Sequence, residues 1–337
     1  MSQTPKNLRA FALILLIPLV VAVELALFAW PQARSEPRDL PIGLAGARLA
    51  TALIEQRLAQ SEGAFDVHRY ADEAAAREAI EDRDAYGAIV GSRTGTTLLT
   101  ASAASPAVAQ LLEQRVASLA PSREAGGDRT PPQRVVDVVP SDPDDPRGAA
   151  LSASVLPLLL AGIVTGLVVA SVTRPGLGQA GALAGASALG GLAAVAVAQA
   201  WLGVIGGSWL ANAGVLSLTV MAISSVAAGL TALVGRTGLV ATALLMVMLG
   251  NPWSGISSAP ELLPRPVGDI GQLLPPGAGG NALRGTAFFD GAGSAEQLLV
   301  LLAWAVLGLA AVVAAALRER RAPATAGRVP GLGRAPA

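Results

Sequence analysis

Long apolar runs separated by shorter alternating patterns divide this chain of 337 residues. A run of about 20 apolar residues is long enough to cross the roughly 30 Å of hydrocarbon in a membrane as a helix. Five such runs cover residues 11–30, 149–172, 179–203, 210–235 and 295–317. A sixth run, 238–250, reaches that length only when it is extended to Gly235 and Trp253. The pattern predicts a polytopic α-helical membrane protein with about six transmembrane helices.

Residues 31–147, between the first two runs, follow a different pattern. Strand-like alternation and helix-like periodicity succeed one another, which is typical of a small α/β sandwich. We predict strands at residues 40–44, 65–70, 86–91, 96–100 and 135–139, and helices at 48–59, 72–82 and 106–119. The Pro- and Asp-rich linker 140–147 ends this domain, because such a composition resists both helix and strand. The sequence therefore predicts an α/β domain inserted between the first and second membrane helices.

The distribution of basic residues orients the predicted helices, because Lys and Arg in short loops stay on the cytoplasmic side. The predicted inner segments contain Lys6, Arg9, Arg174, Arg236, Arg318, Arg320, Arg321, Arg328 and Arg334. They contain one acid, Glu319, whereas residues 31–147 hold 13 Arg against 18 Asp and Glu. We therefore predict that both termini are cytoplasmic and that the α/β domain is extracytoplasmic. A Pro/Gly-rich loop, 251–294, is then also outside, and 318–337 form a basic, disordered cytoplasmic tail.

The first apolar run has an alternative interpretation as a cleaved signal peptide. In this interpretation Lys6 and Arg9 form the positively charged N-terminal region of the signal peptide, and Ala33 ends the small-residue cleavage site. The apolar part, however, is about twice the length usual for a signal peptide, which favours a retained membrane anchor. The following domain lies outside the membrane in either case.

Composition narrows the chemistry that this chain can perform. Hydrophobic residues make up 52% and charged residues 14% of the chain, against about 25% charged in a soluble domain. The absence of Cys and the single His68 exclude a thiolate metal site, a Cys nucleophile and a His cluster. The only Lys is Lys6 and no phosphate-binding loop is present, so ATP cannot be hydrolysed by that route. We predict no enzymatic activity, no cofactor and no metal in this chain, and no nucleic-acid partner.

A few polar residues inside the predicted spans are candidates for a substrate path. Glu24 is the only ionisable residue well inside a span, and a charge at the bilayer centre costs about 2.5–3.5 kcal/mol. It either faces such a path or reaches the nearby membrane surface. Asn212, Ser217, Ser224 and Thr231 lie on the fourth span or its start, the last three at the seven-residue spacing of one helix face. They either line a path or hydrogen-bond between helices, which is worth about 0.6 kcal/mol per bond.

The loop 251–294 is the least ordinary segment, because Pro breaks alternate with short apolar runs. Irregular backbone at membrane depth survives only when it is buried in protein or lines an aqueous cavity. We therefore predict a re-entrant gate or cap on the outer face, the alternative being a solvated loop. Its candidate residues are Asn251, Pro252, Trp253, Gly255, Pro264, Pro275, Pro276, Gly277 and Arg284.

Small residues four apart allow close helix packing at Gly162 and Gly166, and again at Gly181 and Gly185.

Several short motifs in the loop 251–294 and in the outer domain carry a resemblance to known proteins. These are Asn251-Pro252-Trp253-Ser254-Gly255, Pro260-Glu261-Leu262-Leu263-Pro264, Leu274-Pro275-Pro276-Gly277-Ala278-Gly279-Gly280, Arg284 and Phe288-Phe289-Asp290-Gly291, with Tyr86-Gly87-Ala88-Ile89-Val90 and Asp137-Val138-Val139-Pro140 in the outer domain. With this layout, the chain resembles type-2 ATP-binding-cassette permeases and, more closely, the phage-infection-protein (YhgE/Pip-like) bacterial membrane proteins.

This resemblance implies a subunit of an export system in the bacterial cytoplasmic membrane. It implies a homo- or heterodimer embedded in membrane lipid, with ATP hydrolysed by a separate subunit. Arg174 and Arg236 are then the candidate docking residues for that subunit on the cytoplasmic side. The alternative hypothesis is a non-transporting receptor or cell-envelope assembly protein that binds a partner through its outer domain. A polar path across the spans favours transport, and a large apolar patch on the outer domain favours binding.

Overall fold

The computed structural model describes residues 6–61, 63–92, 95–119 and 133–321. The α-helices are α1 (Lys6–Ala33), α2 (Arg48–Ala59), α3 (Glu73–Glu81), α4 (Pro106–Leu119), α5 (Ala149–Val172), α6 (Leu177–Val195), α7 (Trp209–Val234), α8 (Arg236–Ala243), α9 (Val267–Gln272), α10 (Pro275–Phe288) and α11 (Ala295–Arg321). The strands are β1 (Leu40–Gly46), β2 (Phe65–Tyr70), β3 (Gly87–Gly91), β4 (Thr96–Thr100) and β5 (Gln133–Asp137). Two π-helical turns, Ala196–Trp201 and Leu244–Gly250, continue α6 and α8.

The five strands form one mixed sheet in the order β2-β1-β3-β4-β5. β1 is parallel to β2 and β3, β4 is antiparallel to β3, and β5 is parallel to β4. All strands and α2–α4 lie in the chain between α1 and α5, and we call residues 34–140 the α/β region. Each strand begins within two residues of its predicted position. The side-chain carboxylate of Asp72 caps α3 by accepting a hydrogen bond from the Ala75 amide.

Both faces of the sheet are covered. Alternate residues of β1, among them Leu40 and Leu44, pack with α2 and α4 on one face. Ala88 and Leu99 pack with α3 on the other face. Residues far along the chain complete both cores, with Ala259 and Leu262 in the first and Phe289 in the second. The α/β region is therefore packed onto the segment 251–294, which we call the connecting segment.

Five helices of the described residues are long and apolar enough to span a membrane, in agreement with five of the predicted spans. They are α1, α5, α6 with its π turn, α7 and α11. The sixth predicted span forms a shorter apolar helix, Arg236–Gly250. Its 15 residues extend about 22 Å at 1.5 Å per residue, because the turn that includes Asn251 and Pro252 ends it. These apolar helices identify a membrane-embedded protein.

Helix α7 lies at the centre of the bundle, since 72% of the residues in its most apolar 18-residue stretch are buried. Gly166 of α5 faces it so closely that an added Cβ would lie 2.7 Å from the Cβ of Ala227. Gly308 of α11 likewise leaves no room for a side chain against Ser225. In helix α1, by contrast, only 6% of the residues in the corresponding stretch are buried.

Helices α7 and α11 run in the same direction. Near their ends, the Arg318 guanidinium donates to the Leu233 carbonyl at 3.3 Å. Near their starts, Thr286 of α10 bonds Asn212 of α7, and Ser294 before α11 bonds Ala282 of α10. The chain must therefore return along the bundle between α7 and α11, and residues 236–294 make that return.

The connecting segment is buried rather than solvated. It contains a 3-10 turn, Pro260–Leu262, followed by α9 and α10. Twelve of the fourteen residues of α10 are buried. The helix starts with Pro275 and Pro276, because backbone N–H groups in the first turn of a helix have no intrahelical partner and proline lacks that group. The predicted tail begins within α11, which ends at Arg321, and 322–337 lie outside the described residues.

Candidate functional site

A cavity of about 490 Å³ lies between the α/β region and the connecting segment, and we call it the cleft. The first turn of α11 closes one side with Glu296 and Gln297. Its charged lining consists of Arg38, Arg83, Arg265, Asp39, Glu261, Asp269 and Glu296. Three guanidinium groups thus face four carboxylates, and such a polar chamber suits a hydrophilic ligand or partner.

Main-chain pairing fixes one wall of the cleft. The Glu36 amide donates to the Leu262 carbonyl at 3.1 Å, and the Arg38 amide donates to the Glu261 carbonyl at 3.0 Å. The Arg38 guanidinium also donates to the Leu262 carbonyl at 3.1 Å. This short stretch before β1 is therefore attached to the 3-10 turn of the connecting segment.

Tyr86 joins the sheet to the connecting segment from the floor of the cleft. Its hydroxyl donates to Oε2 of Glu261 at 2.8 Å, and its amide bonds the Pro41 carbonyl at 3.0 Å. Burial, followed by the nearby charge of Glu261, raises the pKa of Tyr86 above its ordinary value of 10.0. Tyr86 therefore stays a hydrogen-bond donor at neutral pH. Because the pKa of Tyr86 is higher in the folded than in the unfolded protein, the protonated hydroxyl stabilises the fold below about pH 10. This contribution to the free energy of unfolding is lost as the pH rises further.

Arg83 reaches α10 from the turn after α3, where its backbone φ is +66°. Its guanidinium donates to the Asn281 carbonyl at 3.2 Å and lies 5.5 Å from the centroid of the Phe289 ring, within cation–π range. Burial lowers the pKa of Arg83, and the charge of Glu261 opposes that shift. An Arg side chain remains charged under these conditions, so Arg83 holds a fixed positive charge at the cleft.

A polar network continues from the cleft into the connecting segment. The Asn281 amide donates to Gln272, whose own amide donates to the Ser254 carbonyl at 2.8 Å. Arg284 is 3% exposed and donates to the Ile256 carbonyl at 2.9 Å. Its Nε has no partner, and it forms no ion pair with a carboxylate of the described ranges. The network therefore holds an uncompensated buried cation beside the cleft.

A second hydrogen-bonded group connects α10 to the central helix. The Thr286 hydroxyl donates to Oδ1 of Asn212 at 2.7 Å. The Asn212 amide donates to Gln199 at 3.0 Å and to the Gly206 carbonyl at 2.8 Å. Asn212 is fully buried, so protein groups use both its amide and its carbonyl.

The other predicted path residues lie apart from the cleft. Ser217 bonds the Ala188 carbonyl of α6 at 3.4 Å, and the hydroxyls of Ser224 and Ser187 lie 3.1 Å apart. The Thr231 hydroxyl donates within its own helix at 2.6 Å. Glu24 is exposed on α1, away from this group. The bonds of Ser217 and Ser224 join α7 to α6, and the substrate path remains a prediction.

The predicted gate residues all lie in the connecting segment. Asn251, Pro252 and Trp253 form the turn after the π-helical end of α8. Gly255 adopts a φ of +66°, where glycine is favoured. The buried members are Pro252, Gly255, Pro264, Pro275, Pro276, Gly277 and Arg284. The structure shows them as a packed segment beneath the α/β region, and their gating role stays a prediction.

The predicted docking residues lie at the opposite end of the bundle. Arg174 is exposed between α5 and α6, and Arg236 is exposed at the start of α8. Arg318 at the end of α11 lies at the same end, because α7 and α11 run in the same direction. Arg174, Arg236 and Arg318 therefore lie at the same end of the bundle.

Sequence reasoning missed Arg83 and the pairing of Tyr86 with Glu261. Arg83 stands in the run Glu81-Asp82-Arg83-Asp84, which has the composition of a solvated turn. Tyr86 and Glu261 are 175 residues apart, and each occurs in one of the characteristic motifs. No local signal connected them.

The fold defines a polytopic helical membrane protein that carries a mixed five-stranded sheet packed onto its connecting segment. No protein-family model, no curated protein and no solved structure matches the chain.

Breaking the bond between Tyr86 and Glu261 should loosen the α/β region. We expect Tyr86→Phe and Glu261→Ala each to speed hydrogen exchange at the Glu36 and Arg38 amides by roughly tenfold, since a bond to a charged group is worth about 1.5 kcal/mol. The double variant should exchange no faster than the faster single variant, because both changes remove one bond. Tyr70→Phe is the matched control, since no hydrogen bond of the Tyr70 hydroxyl occurs in the described part. If the two substitutions had additive effects on the exchange rate, the hydrogen bond between Tyr86 and Glu261 would not be what holds the α/β region to the connecting segment.

Proposed function

We propose that this chain is a permease-like subunit of an exporter in the bacterial cytoplasmic membrane. It works as a homo- or heterodimer and moves a substrate outward, while a separate ATP-binding-cassette subunit hydrolyses ATP. The chain itself performs no catalysis and carries no cofactor. One observation carries this proposal: the cleft is connected to the central helix α7 through α10, which accepts a bond from Arg83 at the Asn281 carbonyl and bonds Asn212 through Thr286, five residues further along.

This connection gives a ligand in the cleft a physical route to the helix packing. A ligand shifts a conformational equilibrium only by binding its states with different affinities. The lining of the cleft comes from the α/β region, the connecting segment and α11. Any rotation of α10 against α7 therefore changes the shape of the cleft, so ligand binding and helix arrangement are coupled.

The proposed topology has six crossings with both termini in the cytoplasm. The parallel course of α7 and α11 supports it, because the chain needs a return between them. Arg236–Gly250 is short for a full crossing, and the connecting segment completes the return. The basic face with Arg174 and Arg236 is then cytoplasmic, and the cleft opens outside.

ATPase coupling tests this proposal directly. The full chain in lipid nanodiscs is combined with candidate ATP-binding-cassette subunits, and association and ATP turnover are measured. We expect turnover to be stimulated, and Arg174→Ala and Arg236→Ala each to weaken association by roughly 2- to 5-fold, as for exposed ion pairs. Arg115→Ala is the control, since Arg115 is an exposed arginine on α4 of the α/β region and does not line the cleft. A correctly folded dimer that associates with none of these subunits would contradict the proposal.

The second candidate function is a non-transporting receptor or envelope-assembly protein. The hydrogen bonds of Asn212, Ser217 and Ser224 to neighbouring helices favour it, because they use the polar side chains of α7 for packing. In this alternative the cleft binds an envelope component and the apolar helices anchor the protein. A cleft ligand that binds without altering any ATPase would support it.

A further inference from the structure

A second cavity, of about 230 Å³, lies where α1, α5 and the start of the connecting segment meet. Its polar lining includes Gln32, Ser152, Asn251 and Ser257. Gln32 is next to the last residue of α1, and Ser152 is in the first turn of α5. Both positions are at the ends of apolar helices, the depth at which lipid headgroups lie.

The polar side chains of this cavity have unused hydrogen-bonding capacity. Within the described ranges, the side chains of Gln32, Asn251 and Ser257 have no hydrogen-bond partner. The Ser152 hydroxyl bonds the Gly148 carbonyl at 3.0 Å and the Ile256 carbonyl at 3.4 Å as a donor, and keeps its acceptor positions. Two amides and two hydroxyls therefore offer both donors and acceptors to a molecule in the cavity.

The wall formed by the connecting segment is fixed in advance of any ligand. Carbonyls of three alternate residues of the segment accept bonds from three distant side chains. Gln272 bonds Ser254 at 2.8 Å, Arg284 bonds Ile256 at 2.9 Å, and Ser105 of the α/β region bonds Ser258. A preformed wall lowers the cost of ordering a binding site.

The electrostatics of the cavity favour an uncharged ligand group. No charged side chain is among its described lining residues. The N-terminus of α5 would ordinarily attract a phosphate, but the Asp145 carboxylate already accepts bonds from the Ala149 and Ala150 amides at 2.8 Å each. That carboxylate opposes a second anion, so a phosphate headgroup is disfavoured there.

The surroundings of the cavity are apolar on the side of the bundle. Phe28 and Val155, about one helical turn from Gln32 and Ser152, are apolar members of the lining. Beyond them α1 is almost entirely exposed, and Leu156 and Leu160 of α5 are 39% and 46% exposed. A ligand with its polar group in the cavity can therefore extend an acyl chain between α1 and α5.

We propose that this cavity binds the uncharged, hydroxyl-bearing headgroup of a membrane lipid, of the glycosyl-diacylglycerol class. The amides of Gln32 and Asn251 and the hydroxyls of Ser152 and Ser257 hydrogen-bond the headgroup. The acyl chains lie against the apolar faces of α1 and α5. This site is separate from the cleft, and it does not require that the chain export anything.

Photolabelling of the full chain in phosphatidylcholine nanodiscs tests the site. The probe is diglucosyl-diacylglycerol with a diazirine on its headgroup, and labelled peptides are identified by mass spectrometry. We expect labels at residues 28–32, 152–155 and 251–257, removed by unlabelled glycolipid but by neither phosphatidylglycerol nor soluble maltose. Ser152→Val with Asn251→Leu should raise the glycolipid fraction needed for half-maximal labelling roughly tenfold, the effect of losing two hydrogen bonds.

The controls distinguish a glycolipid site from a soluble-sugar site and from general contact with lipid. Ser171→Val, at the far end of α5, should leave the labelling unchanged, and all variants should keep the unfolding temperature of the parent protein. Equal competition by phosphatidylglycerol would overturn the neutral-headgroup assignment, and competition by maltose would assign the site to a soluble sugar. Labels spread evenly over all apolar helices, or a crosslink between two copies at this position, would also overturn the proposal.

Discussion

The Gly166→Val protein is expected to lose about 3 kcal/mol of folding free energy, because α5 and α7 touch at this glycine. A Cβ at residue 166 would overlap the carbonyl oxygen of Ser224 and lie 2.7 Å from the Cβ of Ala227. Both obstacles belong to the most buried helix of the bundle, and overpacking a tight contact costs about 1–3 kcal/mol, occasionally more. The free energy of unfolding, measured by titration with a denaturing detergent in mixed micelles, reports the change.

Gly185→Val is the matched control for that substitution. Gly185 lies on α6 in a small-residue pair of the same spacing, yet nothing lies within 4 Å of an added Cβ there. The two substitutions share the same cost in helix propensity, so their difference isolates the helix contact. Equal destabilisation by both would show that α5 does not pack on α7 through Gly166.

Asn212→Leu should destabilise the protein by roughly 2–4 kcal/mol, as it leaves two acceptors without their donor. These acceptors are Oε1 of Gln199 and the Gly206 carbonyl. The loss of the Asn212 acceptor costs less at Thr286, because the Thr286 hydroxyl can donate instead to the Ala282 carbonyl, which lies 3.3 Å away. Thermal unfolding of the variant in nanodiscs measures the loss.

The control for Asn212→Leu is the same change at Asn251, whose side chain has no partner among the described residues. Asn251→Leu should leave the unfolding temperature unchanged while weakening lipid labelling. An Asn212→Leu protein as stable as the parent but altered in transport would identify Asn212 as a path residue instead. The comparison thus separates the two interpretations that the sequence left open for this residue.

The apolar helices of this protein were predictable, because their signal is local. Each long run stands in one continuous stretch, and a run of that length has few alternatives to a membrane helix. The strands and α2–α4 were also predictable, since periods of two and 3.6 distinguish them within a few residues. The short run 238–250 forms the helix Arg236–Gly250, which stops at the turn with Asn251 and Pro252 and does not extend to Trp253.

The contacts of the small residues were not predictable. Gly162 and Gly166 have the same four-residue spacing as Gly181 and Gly185. Only the first pair faces α7, whereas the second pair meets open space. A helix that is apolar on all sides carries no stripe that tells which face meets a neighbour. The direction of packing was therefore decided by the whole bundle.

The sequence by itself determined that this is a membrane-embedded protein with an α/β region, and it determined which end of the bundle is basic. Both follow from local composition and charge. Tertiary structure alone decided that α7 is central, that Arg83 contacts α10, and that Tyr86 bonds Glu261. Such pairs join residues separated by 175 or more positions. Their partners depend on how complete elements pack, and no local pattern encodes that choice.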